Sequence, residues 1–302
     1  MQTDRISSYP LFLSDCLSFS NNLIFKRKKI VSFKKELLIG TRMSAFLHLS
    51  DFHLSENDAT SLKSMEPTLI LKNTISKIVN KINDFGKLDG IIITGDISDD
   101  GSKTSYLNAH KILKKMDLPI LAVPGNHDLR RPMMDHFTTA SNFATSQFFD
   151  WAYETSDTKV IGLDTLVEGE NFGMLREESL NFLRENIQFE VKKNIVLAIH
   201  HPPIKTGIPF MDKIGLKNSE ELLECLNTAA KPLRILCGHV HGVYHGSLGA
   251  HSVVTAPSTC TRFSFNRRSD APKGFKLFPT GFAYLDSSTD GFWTPLTTSN
   301  QV

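Results

Sequence analysis

Five short stretches of this chain place metal-ligand side chains directly after runs of β-forming apolar residues. They are Asp51-Phe52-His53, Gly95-Asp96, Gly125-Asn126-His127-Asp128, His200-His201-Pro202-Pro203 and Gly238-His239-Val240-His241. The preceding runs span residues 45–50, 88–94, 119–124, 194–199 and 233–237. Near-continuous apolar runs of this length predict strands buried on both faces. Gly95, Gly125 and Gly238 let the backbone turn sharply and approach a ligand closely. In open α/β sheets the site lies beyond the carboxyl ends of such strands, so donors spread over most of the chain converge. Oxygen and imidazole donors gathered in this way are what a two-metal hydrolytic centre needs.

Each stretch alone has a plainer reading. Asp-x-His after a strand can be a turn with a cap, and Gly-Asn-His-Asp is a natural turn sequence. The His-His-Pro-Pro stretch can be a strand end stopped by proline. His239 and His241, two residues apart, would simply share one face if both lay on a strand. Turn chemistry explains any one stretch; it does not explain donor residues at all five strand ends.

The order D-x-H, GD, GNH, H-x-P and GHxH resembles the calcineurin-like metallophosphoesterases, from about residue 43 to residue 283. The resemblance implies an α/β fold, a four-layer α-β-β-α sandwich of two mostly buried sheets flanked by helices. Carried over by motif, Asp51, His53 and His241 would hold one metal. Asn126, His200 and His239 would hold the other, and Asp96 would bridge both. His200 is preferred over His201 because the family's ligand stands two places before the first proline. His127 matches the family's leaving-group acid, and Asp99 matches the residue that orients it. Asn126, His127 and His201 are candidate contacts to the substrate phosphate; His201 could equally only pack.

The chemistry of the residues points the same way. Two metal ions about 3.5–4 Å apart can activate a bridging hydroxide and clamp phosphoryl oxygens. A carboxylate at Asp96 can ligate with both oxygens, and Asn126 adds an oxygen without adding charge. His127 has an ordinary pKa suited to donating a proton near neutral pH. Imidazole mixed with carboxylate favours two divalent ions of Mn, Fe or Zn, and the lack of thiolates argues against a closed structural zinc site.

A net charge of +2 is nearly balanced and implies neither a nucleic-acid polymer nor an acidic membrane as partner. Cys16, Cys225, Cys237 and Cys260 show no disulfide-framework spacing, which fits a reducing, cytoplasmic location. No apolar run is long enough to span a bilayer. Residues 1–42 stand outside the pattern and carry Lys26-Arg27-Lys28-Lys29 and Lys34-Lys35. They are expected to be a disordered extension or an untranslated one preceding Met43, with a basic membrane-surface anchor as the alternative. Residues 43–302 form the expected catalytic domain.

Between the predicted strands, Leu71, Ile75, Ile78, Ile82 and Phe85 recur at helical spacing. Further helices are predicted over residues 102–116, 175–189 and 219–229. Short strands follow over 243–248, 252–256, 281–285 and 292–296, and the resemblance builds the second sheet partly from the C-terminal strands. Residues 261–279 carry Arg262, Arg267, Arg268, Lys273 and Lys276 among phenylalanines, and read as a solvated loop with aromatic anchors rather than a substrate contact.

Three functions fit. The first is a phosphodiesterase for a small diester, 3′,5′-cyclic AMP foremost, because residues 255–260 and 95–101 resemble the bacterial class III cyclic-nucleotide enzymes. The second is a phosphodiesterase or pyrophosphatase for a glycerophosphodiester, a 2′,3′-cyclic nucleotide or a nucleotide-lipid. The third, a non-catalytic metal-binding scaffold, leaves no chemical reason for His127 to accompany the ligands. A DNA nuclease is disfavoured because no basic stripe or extra domain is visible.

Overall fold

The computed structural model describes residues 43–57, 66–137, 139–140, 142–143, 147–271, 274–276, 281–287 and 293–297. The expectations for residues 1–42 and for Lys273 lie outside the described residues. The predicted ligand-bearing strands form as β1 (Ala45–Leu49), β2 (Gly90–Thr94) and β3 (Ile120–Val123). They are followed by β4 (Asn142–Phe143), β5 (Trp151–Glu154), β6 (Thr158–Gly162), β7 (Asn194–Ala198) and β8 (Arg234–Cys237). Next come β9 (His245–Leu248), β10 (His251–Thr255), β11 (Arg262–Phe263), β12 (Phe275–Lys276), β13 (Gly281–Asp286) and β14 (Trp293–Thr297). One sheet has the order β14-β13-β1-β2-β3 and the other β4-β5-β6-β7-β8-β10-β9; β11 and β12 pair separately.

Strand alternation generates the layers. Phe46, Ile92, Leu121, Val123, Val160, Val196, Ala198 and Leu236 point between the sheets and form one buried cluster with Trp151 and Leu285. The intervening residues point outward. Leu47, Leu49, Ile91, Ile93 and Ala122 meet α1 (Pro67–Asn80) and α2 (Lys103–Leu113) through Leu71, Ile75, Ile78, Tyr106, Ala109 and Ile112. On the other sheet, Ile195, Leu197, Ile235 and Val253 meet α4 (Glu177–Ile187) and α6 (Ser219–Leu226) through Leu180, Leu183, Leu222 and Leu226. The shorter α3 (Arg130–His136) and α5 (Pro209–Asp212) are the other α-helices among the described residues. Strands buried on both faces, each covered by helices, give the expected four-layer α-β-β-α sandwich. Trp151 fastens the two sheets, donating its indole N–H to the Ala122 carbonyl at 2.7 Å.

One expectation needs correction, one is borne out and made more specific, and three strands have no counterpart in the motif pattern. The helix expected through Phe85 stops at Asn80, and Ile82–Phe85 is a 3₁₀ turn. Asn80, Asn83, Asp84 and Gly86 explain the break, because short polar side chains and glycine compete poorly for helical backbone. The C-terminal strands divide between the sheets: β9 and β10 extend the second, whereas β13 pairs antiparallel with β1 in the first. β4, β5 and β6 carry no ligand motif, and the motif pattern does not predict them.

Candidate metal centre

The ligand-bearing turns follow β1, β2 and β3 in one sheet and β7 and β8 in the other, so the site forms where the two sheets' carboxyl ends meet. Backbone bonds knit the turns together: Asp51 N donates to Gly95 O at 3.0 Å, His53 N to Asp96 O at 2.9 Å and Gly238 N to His200 O at 3.0 Å. A Cβ on Gly238 would collide with the Ser50 hydroxyl, and one on Gly125 would overlap the Asp96 carboxylate and backbone. Both positions need glycine for close approach.

Asp51, His53, Asp96, His239 and His241 have φ of 56°, 49°, 50°, 71° and 52°. Among the described residues only Asp117 is also non-glycine with positive φ. Left-handed backbone costs about 1–3 kcal/mol per such residue and persists only where the surroundings over-determine it. Its concentration here marks the site. It also shows that the pair is not set by strand alternation: β8 ends at Cys237, and both His239 and His241 lie in the turn beyond it.

The donors converge. Asp51, His53, Asp96 and His241 form one group, and His200, His201 and His239 another, each with ligand atoms within 4.8 Å of one another. His200 Nε2 links them, 3.4 Å from Asp96 Oδ2 and 3.2 Å from Asn126 Oδ1. His53 Nε2 and His241 Nε2 stand 3.0 Å apart, with Asp96 Oδ2 3.6 Å from the first and Asp51 Oδ1 3.5 Å from the second. Their Nδ1 atoms meet Asp99 Oδ1 at 3.0 Å and Thr261 Oγ1 at 2.7 Å. Nδ1 protons donated to those oxygens leave two Nε2 lone pairs facing each other, an arrangement that a cation relieves. Asp51 Oδ2, His201 Nε2 and His239 Nε2 are buried and make no hydrogen bond. These orphaned atoms and this donor set fit divalent cations.

The electrostatics divide the histidines into two kinds. Burial pushes the His239 imidazole down to about 3, with His200 adding to the effect. Burial also holds His201 and His241 well below the ordinary range, with neighbouring histidines adding. Neutral imidazole is the metal-binding form. Burial also opposes protonation of His127, but its hydrogen bond to Asp99 and the Asp96 charge outweigh it and push the pKa up to about 9. Burial raises Asp96, yet the His200 charge and hydrogen bond outweigh it and hold the carboxyl well below the usual range. Burial pushes Asp51 up to about 6 despite the opposing His200 charge.

Asp99 sits between two histidines, 3.0 Å from His53 Nδ1 and 3.2 Å from His127 Nδ1 through the same oxygen. The sequence pairs it with His127 only. His201 is fully buried, with Nδ1 2.8 Å from the Thr165 hydroxyl and its ring 4.8 Å from His200 and 4.7 Å from His239. Asp128, which reads in sequence as part of a turn, ties two ligand turns together. Its carboxylate accepts from Ser98 N at 2.9 Å, Gly125 N at 2.8 Å, Ile97 N at 3.2 Å and the Tyr106 hydroxyl at 3.1 Å.

A cleft of about 270 Å³ opens over this centre, lined by His53, Asp99, Asn126, His127, His239 and His241. Asn171, Phe210, Met211, Ile214 and Phe263 also line it and carry no motif that sequence reasoning could find. Phe263 corrects the loop reading of residues 261–279: its ring lies 4.6 Å from that of His241. Arg262, Arg267 and Arg268 are exposed, as a loop predicts.

A two-sheet sandwich with an imidazole–carboxylate cluster at its strand ends, and a separate His–Asp pair beside it, defines a metal-dependent hydrolase. This chain belongs to the calcineurin-like phosphoesterases, whose family pattern matches residues 44–243. It is 31% identical over 234 residues to the "Probable glycerophosphodiester phosphodiesterase GpdQ" of Arcobacter nitrofigilis, covering 77% of this chain and 85% of that one. It is 29% identical over 218 residues to the 3′,5′-cyclic adenosine monophosphate phosphodiesterase CpdA of Pseudomonas aeruginosa, covering 72% and 77%. The fold is shared with a dimetal phosphatase from Danio rerio (TM-score 0.59, 13% identity, 85% of this chain and 99% of that one). It is shared also with the purple acid phosphatase PPD1 of yellow lupin (TM-score 0.58, 13% identity, 82% and 50%). Members of the family use a binuclear divalent metal centre, and the chain is a metal-dependent phosphoric ester hydrolase.

Proposed function

We propose that the chain hydrolyses a small phosphodiester, with 3′,5′-cyclic AMP the first candidate. The observation that carries the reaction class is the pairing of a buried donor cluster with the solvent-facing His127–Asp99 pair across one cleft. Asp51, His53 and His241 would hold one cation, Asn126, His200 and His239 the other, and Asp96 both. Mn, Fe or Zn suits these donors. When bound, the two cations would supply Lewis-acid charge to the phosphoryl oxygens and lower the pKa of a water.

The remaining work belongs to side chains. Asp99 accepts from His127 Nδ1, which fixes the ring and leaves Nε2–H to protonate the departing oxygen. With its pKa pushed up to about 9, His127 holds that proton at neutral pH. Asn126, which lines the cleft, would contact the phosphoryl group beside it, whereas the fully buried His201 does not line the cleft and packs behind it. The names of the relatives support a small diester, and a cytoplasmic setting fits the buried free thiols of Cys225, Cys237 and Cys260. Among the described residues no helix is long and apolar enough to cross a membrane.

The name of the Arcobacter nitrofigilis relative favours a second reading, a glycerophosphodiester substrate on the same centre. A panel with Mn²⁺ present, covering cyclic AMP, cyclic GMP, 2′,3′-cyclic nucleotides, glycerophosphodiesters and nucleotide-lipid pyrophosphates, separates the readings by kcat/KM. Cyclic AMP hydrolysed no faster than a glycerophosphodiester would remove it from first place.

A further inference from the structure

We propose that Phe210 and Phe263 select the substrate by the ester group that stays on phosphorus, favouring a planar aromatic group such as a nucleoside over a glyceryl one. The inference rests on the phosphodiesterase reading above and adds which end of the substrate is read, and by what. His127, His53, His241, Phe263 and Phe210 form a run of neighbouring rings, with successive centroids 4.8, 4.8, 4.6 and 5.3 Å apart. The proton donor stands at one end of this run and the phenylalanine pair at the other.

Hydrolysis sets which part of the substrate meets which end. Water oxygen bonds to phosphorus, and the bond from phosphorus to the leaving alcohol's oxygen breaks. That oxygen keeps the electron pair and takes the His127 proton. In an acyclic diester the leaving group therefore departs at the His127 end, where the imidazole is 40% exposed. In a 3′,5′-cyclic nucleotide the leaving oxygen stays joined to the retained nucleoside, which would reach from His127 to the phenylalanines. The retained ester group extends along the cleft toward Phe263 and Phe210, beside Met211 and Ile214.

That wall is apolar and held in place. Phe210 lies in α5, whose Asp212 carboxylate accepts from Thr206 N at 2.7 Å, Thr206 Oγ1 at 2.9 Å and Gly207 N at 3.1 Å. Phe263 lies in β11, in register with Phe275 of β12. A planar ring gains both burial and ring–ring contact there, whereas a glyceryl group brings hydroxyls to a surface with few partners for them.

The test fixes the leaving group as p-nitrophenolate and varies the retained group among methyl, phenyl and thymidin-5′-yl, using the full chain with Mn²⁺. In the unaltered protein, kcat/KM should rise from methyl to phenyl and thymidinyl by about tenfold or more, the scale of a well-fitted apolar contact. Phe210→Ala should collapse that ratio to within about threefold of unity. Phe263→Leu, which keeps bulk against His241 but removes the ring, should lower it in the same direction. General damage would depress all three esters together and leave the ratio intact; that result counts against the proposal. Equal kcat/KM for the three esters in the unaltered protein would overturn it while leaving the phosphodiesterase reading standing. No turnover of any diester would sink both.

Discussion

Two depths of the centre give the same side chain opposite electrostatics. At the open face, His127 is 40% exposed and 3.2 Å from Asp99, and its pKa is pushed up to about 9. Lower in the same cleft, the buried His239 stands beside His200 and His201, no carboxylate among the described residues hydrogen-bonds it, and its pKa is pushed down to about 3. Both are depressed by burial; only His127 has a carboxylate close enough to reverse the sign. Contact with an acid, rather than depth alone, sets the direction: the fully buried His200, 3.4 Å from Asp96, is likewise pushed up to about 9.

The comparison breaks most severely at Asp96, the residue common to both depths. Asp96→Asn should lower kcat/KM about a thousandfold or more, about 4 kcal/mol of transition-state stabilisation. Elemental analysis of protein purified without chelator should fall from two metals per chain toward zero. Near-normal turnover in this variant would overturn the bridging role.

Next in size is the open face alone. His127→Ala should leave metal content intact and cut turnover of alkyl diesters about 10²–10⁴-fold, the usual worth of a positioned acid. Aryl diesters, whose leaving groups need little protonation, should lose far less. Equal losses for both substrate types, or loss of the metals, would remove His127 from the acid role. Asp99→Asn should follow the same pattern more mildly, at about 10–100-fold. Because Asp99 also meets His53, its variant should in addition weaken metal affinity, which His127→Ala should not. Titration of metal-free protein with Mn²⁺ distinguishes the two.

A smaller contrast lies between two hydroxyls that orient histidines. Thr261→Val frees the proposed ligand His241 and should weaken metal affinity about tenfold, whereas Thr165→Val frees His201 and should change it less than about twofold. A tenfold loss from Thr165→Val instead would make His201 a ligand.

The smallest effect sets a structural carboxylate against those of the centre. Burial opposes ionisation of Asp157, but hydrogen bonds from Ser44, Ser287 and Thr158 outweigh it and lower the pKa. A lowered folded-state pKa contributes stability above the ordinary carboxylate range and loses it as pH falls through the folded value. Asp157→Asn should therefore flatten the acid limb of thermal stability, by about 1 kcal/mol at neutral pH, with metal content unchanged. An unaltered acid limb would show that these bonds contribute nothing to the pH dependence.

Much of the donor cluster was legible because strand-end donor residues are encoded locally. An apolar run followed by Asp-x-His or Gly-Asp states both the element and the donor, so β1, β2, β3, β7 and β8 could be read directly. The bracing residues were less legible. Asp128 holds turns that lie 30 and 31 residues away, and Thr261 meets His241 from 20 residues on. Neither spacing belongs to a repeating pattern. Phe263 was read as an anchor because an apolar residue among arginines looks the same whether it faces a core or a cleft.

From the amino-acid order alone follow the donor types, their sequence along the chain, the two-face burial of their strands and the family they resemble. Local hydrophobic period and side-chain chemistry carry all of these. Only the tertiary structure decided that Asp99 serves two histidines, that β13 closes on β1, and that Phe210 and Phe263 wall the cleft. It also decided that five donor residues hold left-handed backbone. These depend on contacts between segments far apart in sequence, such as the 188 residues separating His53 from His241. The energies that settle them exist only once both sheets have closed around the site.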